Sequence, residues 1–376
     1  MIEFCVENES LKKALTLANA ATGDTKNSIE SHCLFDLKED QLTILSSNKS
    51  TCFSRAVVTT GGTGTCKFTV DPGKILNLIK MSGSSTMKFI FHPETTTLEV
   101  HASEEEDSFI SLSSLDPTTF PEIEDNFTKA FELKTLDAGI FLKGLRFAEG
   151  FISTGKNAGK FGNVFCAEGV LYGTNGNDIA GAYTSTEFSG LTDLIFPGTI
   201  ISQIANIINK LNFLDITIKT TSNAIIISST DYSYGFTKVQ ISMPKMIITI
   251  EEPPTSGWGV EKALLLKKIG RLQISGESGL GIELCFSPSR LDIVTKAERP
   301  SKESLPCKGS EEALFTVDCW MIERILGLFE GATLSVHQGK RRINLFSKGT
   351  INVQEKEDKE RAVPFSNAAL VALAVA

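Results

Sequence analysis

This 376-residue chain lacks several things. No run approaches the roughly 20 consecutive apolar residues that a helix needs to cross a bilayer. The start, MIEFCVENESLKKAL, has no basic-then-apolar order of the kind a secretion signal shows. A cytoplasmic protein with no membrane partner is the expectation. The cysteines form no pairing pattern: Cys5, Cys33, Cys52, Cys66, Cys166, Cys285, Cys307 and Cys319 are scattered, without a CxxC or a histidine at ligand spacing. His32, His92, His101 and His337 are equally dispersed. Buried free thiols in a reducing compartment follow, and no metal. There is no GxSxG, no HExxH and no nucleophile with an evident base, so neither an enzyme nor a cofactor is expected. TTGGTGTC (59–66) lacks the Lys-Ser/Thr of a P-loop and runs into KFTV rather than a helix, so a hairpin turn is predicted. SEEEDS (103–108) is predicted as a solvated hairpin tip and EKEDKER (355–361) as an exposed loop. Positive charge is also in deficit. A net charge of −8 argues against a nucleic-acid partner unless the charges are segregated.

What is present is repetition. FTVDPGKILNLIK (68–80) and FTVDCWMIERILGLF (315–329) both run a short apolar strand into an aspartate and then an amphipathic helix. LIFPGTIISQIANIINKL (194–211) is a third copy. Pro72 and Pro197 fit the first helical position, where the missing N–H costs nothing, and Asp71 and Asp318 are placed to cap the first turn. These helices begin near residues 72, 197 and 318, spacings of about 125 and 121. A second helix family, at 10–21, 137–150 and 259–274, repeats at about 127 and 122. The stretches between alternate like strands and are broken by Pro, Gly, Asn and Ser. Each repeat ends on a strand that meets proline: ISLSSLDPTTFPEIED, VQISMPKMIITIEEPP and KERAVPFS. The reading is α+β, with three tandem domains at 1–125, 126–253 and 254–376, each packing two helices on antiparallel sheets.

The helices resolve the charge problem. Spans 10–21, 72–83, 137–150, 197–211, 259–274 and 318–330 hold twelve basic residues against six acidic, about +6, leaving about −14 on the rest. Asp137 and Asp318 among those acids stand at helix starts, where capping accounts for them. The apolar faces, such as Leu11/Ala14/Leu15/Ala18 and Ile200/Ile201/Ile204/Ile207/Ile208/Leu211, are predicted core. The opposite faces mix cations with Thr16, Asn19, Asn77, Gln203 and Asn206, a surface that can touch phosphates in any register without reading sequence. The candidates for phosphate contact are Lys12, Lys13, Lys74, Lys80, Lys143, Arg146, Lys210, Lys267, Lys268 and Arg271.

Three two-helix units in tandem, with SFISLSSLDPTTFPEIED, VFCAEGVLYGTNGNDIAGA and the late Val363-Pro364-Phe365, resemble the bacterial β sliding clamps, the processivity subunits of replicative DNA polymerases. The likeness covers essentially the whole chain. It implies a head-to-tail homodimer closed into a ring around double-stranded DNA. Twelve helices spaced about 9 Å apart would span a circle about 34 Å across, leaving a bore of about 24 Å. The same likeness makes those helix cations, with Lys26, Lys156 and Lys160 on loops, candidates for binding DNA. It further implies a replicative polymerase and a clamp loader as partners, held in an apolar pocket. Carried over by position, that pocket is Phe161, Gly176, Ile179, Pro244, Ile248, Val363, Pro364 and Phe365. The chain departs from the family at GNDIAG (176–181), where the usual arginine and histidine give way to Ala180 and Ile179. NAALVALAVA follows VPFS, a tail that either covers the pocket or is an appendage. These departures imply a divergent member, cellular or phage-encoded. The alternatives are a clamp-fold scaffold that binds proteins without encircling DNA, and an enzyme with a cleft between repeats.

Overall fold

The structure is a computed structural model that describes residues 1–23, 25, 28–102, 108–155, 158–244, 257–274, 281–339, 342–354 and 360–372. Among them are seven α-helices and three sheets, so the α+β expectation holds. The helices are α1 (Asn8–Ala21), α2 (Pro72–Met81), α3 (Glu124–Thr128), α4 (Ala138–Glu149), α5 (Gly198–Leu211), α6 (Lys262–Gln273) and α7 (Cys319–Leu328). No helix among the described residues is long and apolar enough to cross a membrane. The chain folds as two compact units, Met1–Thr135 with Gln203–Lys238, and Leu136–Ser202 with Val239–Ala376.

The first unit is built on a ten-stranded sheet whose longest member is Cys52–Val70. That strand pairs antiparallel with Cys33–Ser47 along most of its length, with Ile2–Glu7 at residues 60–61, and with Tyr232–Thr237 at residues 52–56. The expected turn at 59–66 does not exist, because the glycines lie inside this strand. Gly62 adopts φ +118°, and a Cβ there would stand 2.9 Å from the Glu3 carbonyl oxygen. Glycine is therefore required where two backbones approach, with a register shift nearby between Glu39 and Gln41. The core is phenylalanine-rich: Phe4 stacks on Phe89 at 5.1 Å and Phe68 on Phe91 at 4.7 Å. Against it α1 buries Leu11, Ala14, Leu15 and Ala18, the stripe its 3.6-residue period predicts. Outside the sheet, Phe120 and Ile123 of the first proline segment pack with Leu34, Leu45, Phe53 and Ile226.

The second unit has a nine-stranded sheet and a four-stranded one. In the larger sheet, strand Glu360–Ala372 lies between Ile179–Ser185 and Arg342–Gln354 and is antiparallel to both. The described part of the apolar tail is thus strand rather than appendage: Asn367, Ala369 and Val371 are fully buried in mid-sheet. Val239, Ile241 and Met243 pack over Phe165, Tyr172, Ala182 and Phe346, as the first linker does in its own unit. Strands Thr97–His101 and Ile110–Ser113 pair antiparallel across SEEEDS, and Gln354 faces Glu360 across EKEDKER. Residues 103–107 and 355–359 of those two stretches lie outside the described residues.

The caps behave as read. Asp71 Oδ1 accepts from the Gly73 and Lys74 amides at 2.8 and 3.4 Å, and Asp318 Oδ1 from Met321 N–H at 2.7 Å. Asp137 does the same for Ile140 at 2.7 Å. Pro197 falls one position earlier than expected, closing strand Leu194–Pro197, and α5 starts at Gly198. All eight cysteines are free, and burial pushes the Cys66 thiol up to about 11 and Cys166 up to about 12.

Candidate nucleic-acid interface

In the first unit α1, α2 and α5 each bury an apolar face and leave a polar one exposed. Ile75 and Ile79 of α2 point inward, as do Ile204, Ile207 and Ile208 of α5. What remains outside forms a groove of ≈ 420 Å³, lined by Lys12, Thr16 and Asn19 from α1, Lys80 from α2, and Gln203, Asn206 and Lys210 from α5. Three candidate cations thus converge with the neutral donors that the sequence places beside them. Lys12 reaches Glu9 at 3.5 Å, an exposed pair that competes weakly with other ligands. Among the described residues no carboxylate lies within ion-pair distance of Lys13, Lys74, Lys80 or Lys210.

The groove has a buried support. Gln203 is exposed, yet its Oε1 lies 2.8 Å from the Tyr234 hydroxyl, and Tyr234 Oη lies 3.1 Å from Cys52 Sγ. Tyr234 is only 2% exposed, and burial raises its hydroxyl far above the ordinary tyrosine value, so the proton stays on oxygen.

The candidates of the second unit sit differently. Lys143 pairs with Glu330 at 3.2 Å and Arg146 with Glu149 at 2.8 Å. Lys268 and Arg271 share Glu303, at 2.5 and 3.6 Å. The Lys268 hydrogen bond and the neighbouring cations hold the Glu303 carboxyl below its ordinary range, so it remains an anion. Four of the five helix cations expected here are therefore compensated, and only Lys267 lacks a carboxylate among the described residues. Lys160 lies 5.0 Å from the centroid of the Phe161 ring, a cation–π contact. Lys26 and Lys156 lie outside the described residues.

The described pocket candidates do not all converge. Phe161, Gly176 and Ile179 gather at one hairpin: Gly176 adopts φ +85°, and a Cβ on it would come within 2.6 Å of the Phe161 ring. Asn175 Oδ1 accepts the amides of Asn177, Asp178 and Ile179 and fixes the turn. Pro244 is anchored farther along the sheet, where its carbonyl accepts from Tyr172 Oη at 3.0 Å. Ile248 lies outside the described residues. The register places Phe365 opposite Ser185, whereas Ile179 faces Val371. Six residues of strand separate the two positions, about 20 Å. Val363, Pro364 and Phe365 therefore stand at the far end of this strand from Ile179. Pro364 is exposed and lies past the end of Ile179–Ser185, at an edge where the missing N–H is tolerated. The tail residue that does lie opposite Ile179 is Val371, which is fully buried.

No family model matches the sequence, and no curated protein matches it. Solved structures do. The DNA polymerase III subunit beta from Pseudomonas aeruginosa matches with a TM-score of 0.79 at 14% identity, over 100% of both chains. A putative DNA polymerase III beta subunit from Eubacterium rectale matches at 0.79 and 11% over the same full lengths. The DNA polymerase sliding clamp from Bacillus subtilis matches at 0.76 and 12%, over 100% of this chain and 99% of that one. From end to end, the fold of this chain is that of the DNA polymerase III β sliding clamps.

Proposed function

We propose that this protein is a DNA sliding clamp. Three repeats, 1–125, 126–253 and 254–376, form each subunit, and two subunits close head to tail into a ring that encircles double-stranded DNA. The ring tethers a replicative polymerase in the cytoplasm and is opened by a clamp loader. It catalyses nothing itself. The observation that carries this reading is the full-length fold likeness to sliding clamps, at TM-scores of 0.75 to 0.79 among the matches. The groove with Lys12, Lys80 and Lys210 supports it, since a sliding protein needs cations and neutral donors without base recognition. The remaining DNA-facing candidates are Lys13, Lys26, Lys74, Lys143, Arg146, Lys156, Lys160, Lys267, Lys268 and Arg271. Partner peptides enter where Phe161, Gly176 and Ile179 meet, with Pro244 and Ile248 beside them. Val363, Pro364 and Phe365 belong to the same partner surface only if the peptide runs along the strand.

The test is retention on nicked circular DNA. A topologically linked ring, once loaded, stays bound at moderate salt and is released when the circle is cut. Release by salt alone, with cutting without effect, refutes encirclement. A dimer by size measurement is the companion expectation. A second reading, a clamp-fold scaffold that binds proteins and not DNA, is favoured by one observation: Glu303, Glu330 and Glu149 already occupy four of the second unit's cations. That reading predicts no retention on either form of DNA.

A further inference from the structure

The groove between α1, α2 and α5 is roofed by lysines but floored by an unusual neutral contact. An exposed glutamine ordinarily swings freely and offers water either end of its amide. Gln203 does not, because its Oε1 lies 2.8 Å from a hydroxyl buried under the helix. Proton counting decides which way the bonds run. The Tyr234 hydroxyl has one proton and two neighbours, Gln203 Oε1 at 2.8 Å and Cys52 Sγ at 3.1 Å. An amide carbonyl is a strong acceptor and a thiol sulfur a weak one, so the hydroxyl donates to Gln203. The Cys52 thiol also directs its S–H at Gln203 Oε1, at 3.9 Å, so the same carbonyl receives both protons. With the carbonyl end held inward, the amide NH₂ of Gln203 is the end left facing the groove. Lys12, Lys80 and Lys210 also offer donors only.

We propose that Tyr234 is a positioning residue that locks Gln203 as a hydrogen-bond donor, so that this point of the groove presents a fixed N–H to a phosphodiester oxygen. The inference rests on the DNA-clamp reading and extends it from charge to polarity. A lysine attracts a phosphate from any direction as a point charge. A fixed amide adds a directed contact that costs no reorientation on binding, because the tyrosine has already ordered it.

The experiment measures binding of a short linear duplex to the full chain by fluorescence anisotropy across a salt series, with Tyr234→Phe, Gln203→Leu and the double variant. Tyr234→Phe should weaken binding about fivefold, the scale of one hydrogen bond at a wet surface, without changing the salt slope, because no cation is lost. Lys80→Ala, in contrast, should reduce the slope by about 0.9. Gln203→Leu should weaken binding comparably, and adding Tyr234→Phe to it should cost nothing more, since the tyrosine acts only through the glutamine. Gln203 is exposed, so its variant folds even if the core substitution does not. A wild type that leaves the duplex unbound overturns this proposal, while the clamp reading stands or falls on retention by nicked circular DNA. A wild type that binds, with Gln203→Leu binding equally well or with additive losses in the double variant, overturns this proposal alone.

Discussion

Replacing Lys12, Lys80 and Lys210 together with alanine should change how the protein's DNA affinity responds to salt. Each neutralised phosphate contributes about −0.9 to the slope of log affinity against log salt, so three cations account for about −2.7. Between about 50 and 200 mM salt that slope amounts to roughly a 40-fold loss of affinity. The triple variant should lose this component almost whole, because two of the three lysines have no carboxylate within reach among the described residues. The third, Lys12, is engaged only by Glu9 at 3.5 Å in an exposed pair. The matched control is Lys143→Ala with Arg146→Ala, whose cations already face Glu330 and Glu149 at 3.2 and 2.8 Å. That pair should shift the slope by well under the 1.8 or so that two free cations would give. Fluorescence anisotropy with a short duplex reads both. A triple variant with the wild-type slope, or a control that moves it as much per charge, would refute the assignment of the DNA-holding charge to the three-helix groove.

Other consequences follow from the hydrogen bonds. Asp292 accepts from Lys302 at 2.8 Å, Ser304 at 2.6 Å and Arg290 at 2.6 Å, and these contacts, Lys302 foremost, hold its carboxyl below its ordinary 3.8. A carboxyl depressed by folding stabilises fully above its unfolded value and loses that contribution as pH falls through the folded one. Asp292→Asn should therefore flatten the acid limb of a stability-against-pH curve below about pH 4 and leave the slope at neutral pH unchanged. Asp318→Ala removes the acceptor 2.7 Å from Met321 N–H, and should cost about 1 kcal/mol, read as faster amide exchange in the first turn of α7.

The helices were legible because each carries its own signals: an apolar stripe of helical period, and for α2, α4 and α7 an aspartate at the start. Those signals are local, and the predicted spans match the observed elements to within a few residues. Misreadings arose where a remote strand decides the outcome. TTGGTGTC has the composition of a turn, yet strand Ile2–Glu7 presses close enough that only glycine fits at position 62. The tail has no alternation to mark an edge, because its residues 367–371 lie in a strand paired on both sides, with neighbours such as Ala368 and Ala369 both buried. VPF gives no sign of its register, and pairing with Ile179–Ser185 sets Val371, not Phe365, opposite Ile179.

The site shows the same division. Counting charges along helices found the cations but not their partners, since Glu303 is 35 residues from Lys268 and becomes its neighbour only when strand Lys302–Pro306 lies beside α6. A sum over the sequence treats Lys80 and Lys268 as equals. The fold makes the first available and commits the second to a carboxylate held ionised by that very contact. Gln203 likewise reads as one more neutral surface residue until Tyr234, 31 residues on, and Cys52, 151 residues back, are folded beneath it. A protein of net charge −8 can then present a locally positive groove. Its acids are spent elsewhere, on caps, on ion pairs and on exposed edges, and one donor of the groove is oriented by buried groups that carry no charge at all.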